Sequence, residues 1–175
     1  HKQFKKMKNN KQHYNYKSSF TPLVQFLKKK RGLPMIMFSF SRKNCERYAQ
    51  LINISLVDHE EISEIDKTFN NLIRTLLGAN TNLEQIFLLK KLLLKGIGIH
   101  HSGLHHTLKE IVENLFGEGL IKVLYTTETF AVGINMPAKT VCFASLEKFD
   151  GISFRYINSK EYFQLAGRAG RRGID

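Results

Sequence analysis

Two hydrophobic rhythms alternate along this chain. Short apolar runs are followed by stretches in which apolar residues recur every three or four positions. Met35-Ile36-Met37-Phe38-Ser39-Phe40 is a run without alternation, which suits a strand buried on both faces. Gly96-Ile97-Gly98-Ile99-His100-His101, Ile121 to Thr126 and Lys139 to Ser145 read as further strands. Between them the period lengthens. A helix is predicted from Thr21-Pro22, with Leu23, Phe26 and Leu27 on one side, and Gly32-Leu33-Pro34 ends it. Ser41 suits the N-cap of a helix over 42–53. Ile62, Ile65, Phe69, Leu72 and Ile73 stripe a helix over 59–77, and a Leu-rich helix covers 83–94 after a break at Gly78 to Asn82. Leu108, Ile111, Val112, Leu115 and Phe116 line another, whose start resembles a capping box at Thr107 to Glu110. A last helix runs from Tyr162 to Ala169.

Strands alternating with helices from residue 34 onward predict an α/β fold with a mostly parallel β-sheet flanked by helices. Ligands of such sheets gather at the carboxyl ends of the strands. Three segments fall there: Ser39 to Arg42, His101 to Gly103, and Thr126 to Gly133.

Composition narrows the class of partner. The 175 residues suit one domain, and 42% hydrophobic content is enough for a core. The formal net charge of +12, from 27 basic and 15 acidic residues, favours a polyanion. Lysine clusters near the N-terminus inflate that figure, so charge supports the inference without carrying it. Residues 1–19 read as a basic, poorly ordered lead-in, and the domain as 20–175. Cys45 and Cys142 form no paired motif, which points to a reducing compartment. No apolar run approaches the roughly 18 residues of a membrane helix. A start without Met suggests an excised or processed piece.

Two motifs carry chemistry. In Gln164-Leu165-Ala166-Gly167-Arg168-Ala169-Gly170-Arg171-Arg172-Gly173, helical spacing would put Gln164, Arg168 and Arg171 on one face. Glycine inside a helix costs about 1 kcal/mol relative to alanine, so two of them suggest a functional demand. Paired guanidiniums can fork onto a phosphate chain. The bland alternative is a basic helix end in solvent. In Thr126-Thr127-Glu128-Thr129-Phe130-Ala131-Val132-Gly133-Ile134-Asn135-Met136-Pro137, hydroxyls and amides follow a strand directly, as a backbone-phosphate grip requires. An ordinary Thr-rich turn is the alternative there.

Taken in order, these segments resemble helicase motifs V and VI. Phe38 to Glu46 looks like motif IV, and Gly98 to Leu104 like the element between. The set, with Phe116-Gly117-Glu118-Gly119-Leu120-Ile121-Lys122 and Lys148 to Arg155, is similar to superkiller-type DExH-box RNA helicases, nearest their nuclear-exosome branch found in TRAMP-type complexes. The resemblance covers residues 20–175. It departs at Ser102, where the family usually has glycine, and at His105-His106, which replace a Leu-Pro-like pair. It implies a second RecA-like domain that ends soon after motif VI, before the strand that usually follows.

The resemblance further implies ATP with Mg²⁺ in a cleft between two RecA-like domains, the metal held mainly by a first domain outside this chain. Catalytic roles fall on Arg168, Arg171 and Gln164, nucleotide contacts also on Gly133 and Asn135. Ser41, Arg42, His101, Gly103, Thr127 and Thr129 are the RNA-contact candidates. Expected partners are single-stranded RNA, the first RecA-like domain, and exosome and polyadenylation-complex subunits, with no membrane. The implied activity is 3′-to-5′ ATP-dependent RNA unwinding in RNA processing and decay, by a fragment inactive alone. The location implied is the nucleus or nucleolus, with the cytoplasm as second choice. A DNA helicase of the same superfamily and a non-catalytic RNA-binding module are the competing readings.

No Gly-x-x-x-x-Gly-Lys-Thr/Ser occurs, so a P-loop is missing from this sequence. Ile54 to Glu60, which slightly resembles a strand ending in a metal-binding acid, reads as a helix boundary. His100, His101, His105 and His106 invite a zinc reading. With no Cys or acid nearby in sequence and no His-Glu-x-x-His, no metal site is expected.

Overall fold

Successive strand residues point to opposite faces of a sheet, so a strand buried at every position must be covered on both. β1 (Met35–Phe38) meets that test, with no residue more than 2% exposed. The computed structural model describes residues 16–74, 83–128 and 138–167, with side chains from residue 20 onward. Within it β1 pairs in parallel with β3 (Val123–Thr126) on one side and β4 (Thr140–Phe143) on the other. β2 (Ile97–His100) pairs in parallel with the far side of β3, giving the order β2-β3-β1-β4. The registers place Ile36 opposite Leu124 and Val141, and Ile99 opposite Tyr125. β4 is only half-buried, as suits its place at the side of this four-stranded sheet. The α/β class, the parallel sheet and the four expected strands agree with the sequence reading.

Helices supply the covering layers. α2 (Arg42–Gln50) packs on β2 and β3, while α4 (Leu83–Leu93) and α5 (His106–Gly117) pack on β2. α3 (His59–Ile73) lies against α4 and α5, burying Ile65 and Phe69. Its start is set by a capping box: Asp58 accepts the Glu61 N–H at 2.9 Å, and Glu61 accepts the Asp58 N–H at 3.0 Å. Asp58 is therefore a helix cap, as the absence of a P-loop suggested. The expected extension of α3 to residue 77 lies partly outside the described residues.

Several boundaries differ from expectation, and the helix expected over 42–53 ends at Gln50. α1 (Tyr16–Lys29) begins before Thr21-Pro22, carries Pro22 inside it and takes in residues 16–19 of the expected lead-in. An interior proline costs about 3 kcal/mol. What offsets it is Phe20, one turn before Val24; both are buried. Phe20 sits 4.9 Å from the Tyr48 ring and edge-on to Tyr125 at 5.9 Å. α5 starts at His106, not Thr107: His105 is its N-cap and Nδ1 accepts the Thr107 N–H at 3.3 Å. α6 (Ser159–Ala166) starts three residues early, capped by Asn158 and Glu161 in a second capping box.

One element was not anticipated. β5 (Glu147–Phe149) and β6 (Phe154–Tyr156) form an antiparallel hairpin, with Lys148 opposite Arg155. Asp150 closes its turn by accepting the Ile152 and Ser153 N–H groups, both at 2.9 Å. Gly151 takes φ +104 there, a conformation that side chains disfavour.

Candidate functional site

Because all four main strands run the same way, their carboxyl ends share one edge. Ser39 to Arg42 leave β1 there, His101 to Gly103 leave β2, Thr127 and Glu128 leave β3, and Ala144 and Ser145 leave β4. The edge is stitched by backbone bonds. Ser39 N–H donates to the Thr126 carbonyl at 2.8 Å, Ala144 N–H to Phe38 at 2.9 Å, and Thr127 N–H to His100 at 3.3 Å. Thr126 Oγ1 donates to the His100 carbonyl at 2.8 Å. The resulting floor is rigid and nearly closed: Ser39, Thr126 and Thr127 are all buried.

On that floor stands the amino end of α2. Ser41 is its N-cap in extended conformation, and its hydroxyl accepts the Asn44 N–H at 3.4 Å. Arg42 and Lys43, in the first turn, are exposed. Arg42 makes no ion pair among the described residues, so its charge is available to an external anion. A helix start with two exposed cations in its first turn has the chemistry that suits a phosphate.

Gly103 fits against this helix. A Cβ there would stand 3.3 Å from Arg42 Cδ and 3.1 Å from His101 Nδ1, so a side chain would push on both. His101, expected as an RNA contact, is only 2% exposed and has a different role. Its Nδ1 accepts the Gly103 N–H at 3.1 Å, which leaves the ring proton on Nε2, 3.2 Å from Glu46 Oε1. The ring therefore ties the loop after β2 to α2. Burial lowers its pKa, only partly opposed by Glu46, so the neutral form that the Gly103 bond needs is favoured. Gln85 adds a second tie, donating to the Gly103 carbonyl at 3.1 Å. Sequence alone could not reveal a latch whose acid lies 55 residues from its histidine.

Two more of these histidines serve the fold itself. His100 Nε2 lies 2.7 Å from Glu113 on α5, and His105 is a helix cap. Among the described residues no group of three or more His, Cys, Asp or Glu is placed to hold a metal. The Cys45 thiol, pushed up to about 12 mainly by burial, is unsuited to ligation or redox work.

The far side of the edge is built by charge. Lys148, on the inner side of the hairpin, lies 2.7 Å from Glu128 and 2.8 Å from Glu161. Arg155 forks onto Glu161 with bonds of 2.8 and 2.9 Å. These two cations and the Asn158 N–H hold the Glu161 carboxyl far below the usual range, Arg155 contributing most. Hydrogen bonds to Glu128 and Glu161 in turn raise the pKa of Lys148. Between hairpin and α2 lies an open cleft of about 450 Å³, lined by Ser39, Ser41, Asn44, Lys148, Phe149 and Phe154 among others. The cleft and the charge cluster escaped sequence reasoning. The Asp150-Gly151 pair between apolar-bearing triplets was the one local signal for the hairpin.

The structure thus brings Ser41, Arg42, His101, Gly103 and Thr127 to one edge. Gln164 stands apart, exposed on α6, which packs against β4 through Tyr162 stacked on Phe143 at 5.3 Å. Thr129, Gly133, Asn135, Arg168 and Arg171 lie outside the described residues. So does the far end of the expected 162–169 helix; α6 runs to Ala166 with Gly167 as its C-cap.

Comparison with known proteins gives a consistent family. The model described as helicase conserved C-terminal domain matches residues 68–173. The chain is similar to the Homo sapiens protein named exosome RNA helicase MTR4, 48% identical over 159 residues, covering 90% of this chain and 15% of that protein. The same identity over 159 residues relates it to ATP-dependent RNA helicase mtr4 of Schizosaccharomyces pombe, covering 90% of this chain and 14% of the relative. Superkiller complex protein 2 of Mus musculus is 46% identical over 157 residues, 89% of this chain and 13% of its own length. The chain therefore spans between 13% and 15% of the length of these relatives.

Proposed function

The chain belongs to the helicase C-terminal domain family, and from that premise we propose that it is the second motor domain of an ATP-dependent RNA helicase. The whole protein would translocate on RNA in the 3′-to-5′ direction, in RNA processing and exosome-linked decay, with the nucleus as its place of work. One observation carries this reading. In a chain 48% identical to proteins named as RNA helicases, the parallel sheet delivers Ser41, Arg42, Gly103 and Thr127 to a single edge.

The described edge supports the first part of a division of labour, and the family resemblance supplies the rest. The Ser41 cap, the α2 amides and Arg42 hold backbone phosphates, which fixes register without reading bases. His101 acts through Gly103, keeping the loop low enough for a strand to pass. Thr127 forms the floor, and Thr129 follows it toward Gly133 and Asn135, assigned to the nucleotide edge. Gln164, with its side chain exposed, suits a ligand shared with a second domain. Arg168 and Arg171 are assigned to stabilise negative charge that builds as the γ-phosphoryl group leaves. Bound ATP with Mg²⁺ would supply the transferable phosphoryl group and its metal clamp. That metal is assigned mainly to a first RecA-like domain outside this chain.

The test is RNA-stimulated ATP hydrolysis by the full-length protein, with and without Arg171→Ala. A loss of roughly a thousandfold in turnover with RNA binding retained is expected of a finger residue. Unchanged turnover in the variant, or none in the parent, would leave a basic RNA-binding module as the better account. Equal stimulation by DNA would move the assignment to a DNA helicase.

A further inference from the structure

We infer that Lys148 is a positioning residue that joins the motif V loop to the motif VI helix, so that the nucleotide-facing groups on both move as one unit. The inference rests on the motor reading above. It concerns how this chain sets its catalytic groups, not which groups they are.

Three chain segments meet at one ammonium group. Glu128 is the last described residue after β3, immediately ahead of Thr129 and Gly133. Lys148 comes from β5, and Glu161 from the first turn of α6, the helix that carries Gln164 and leads into Arg168 and Arg171. Lys148 Nζ lies 2.7 Å from Glu128 Oε2 and 2.8 Å from Glu161 Oε1. Its side chain is only 12% exposed, which makes it the most enclosed member of the cluster. No other ion pair among the described residues links the end of β3 to α6.

Glu161 is well prepared to anchor this bridge. Its two oxygens also accept from both Arg155 terminal nitrogens and from the Asn158 N–H, so its rotamer is fixed by four bonds. Glu128 is nearly half exposed and, among the described residues, its side chain bonds to Lys148 alone. The anchor therefore holds the lysine, and the lysine holds the looser partner. Such an arrangement restrains the motif V side without burying it. An exposed single pair contributes little to folding, whereas a network with one fixed anchor carries geometric information.

Positioning and packing can be told apart by kinetics. In the full-length protein, Lys148→Met should lower kcat for RNA-stimulated ATP hydrolysis at least tenfold. KM for ATP and Kd for a single-stranded RNA oligonucleotide should change less than threefold, because the lost alignment matters in the transition state. Lys148→Arg should recover most of the rate. Glu128→Gln, at an exposed position that threatens folding least, should show the same kcat-selective loss. Combined with Lys148→Met it should add little further, since both remove one link. If the parent turns over normally and Lys148→Met stays within twofold of it, the bridge has no such role. A positioning role is equally overturned if the two losses multiply, or if KM, Kd and kcat collapse together. A parent with no RNA-stimulated turnover overturns the motor reading and this inference with it.

Discussion

The β1–β3 side of the domain and the hairpin–α6 side are held by opposite means. In β1, β2 and β3 every residue is buried, and the loops that leave them are tied by backbone bonds and one enclosed imidazole. In β5 and β6 the outer residues are exposed, with Phe154 76% accessible, and ion pairs do the joining. Burial is insensitive to ionic strength and intolerant of lost volume. Surface charge is tolerant of volume but screened beyond about 8 Å at physiological salt. An edge set by burial thus stands beside a connector set by charge, and the two should answer to different perturbations.

Experiment can erase that contrast or deepen it. The largest effect is expected at Phe38, fully buried and stacked 5.7 Å from Phe143. Phe38→Ala should cost about 3–5 kcal/mol. Amide exchange in β1, β3 and β4 of the full-length protein should show that loss together. If those amides keep their protection, the sheet is not the cooperative unit described here.

Acid should act next, and on the same side. Burial lowers the pKa of both His100 and His101 in the folded domain. Between those lowered values and the ordinary value near 6.5, the unfolded chain binds more protons. Stability should therefore fall as pH drops from about 6.5 toward the folded-state values, and be fully regained above about 6.5. Protonating His101 also puts a hydrogen where Gly103 now donates. Corrected for the intrinsic slowing of exchange in acid, protection of the Gly103 and Leu104 amides, followed from about pH 7.5 to about 5.5, should fall before that of β3. A flat profile would mean that the latch does not titrate in this range.

Salt should give the smallest effect, and on the other side. Raising ionic strength to about 1 M shortens screening to about 3 Å and should speed exchange in β5, β6 and the first turn of α6 a few-fold. β1 should not respond. Equal responses on both sides would remove the distinction.

The same contrast explains what could be read from the sequence. Met35 to Phe38 and Ile121 to Thr126 announce buried strands because burial demands consecutive apolar residues, a local pattern. The carboxyl-edge position of Ser41, Arg42 and Gly103 followed from strand order and needed no contacts. The hairpin was missed because three-residue strands with one half-buried position leave almost no pattern. α1 was started too late because Pro22 argues locally for a first turn, while the force that extends the helix is Phe20 meeting Tyr48 and Tyr125 from far along the chain. His101 looked like a ligand for RNA because a His-His pair at a strand end is polar and conspicuous. Only the distance to Glu46 reveals it as internal. The Asn158 to Glu161 cap was legible in principle, as a local side-chain pattern.

The parallel strand order also gives the domain a back. Helix-to-strand turns such as Gly119, between α5 and β3, emerge opposite the grip, and among the described residues nothing lies within 4 Å of where a side chain there would start. A lysine tail secures the turn from within, Lys122 Nζ donating to the Gly119 carbonyl at 2.7 Å. A tether or fluorescent reporter joined at that rear surface would stand clear of the edge that carries Ser41, Arg42 and Gly103.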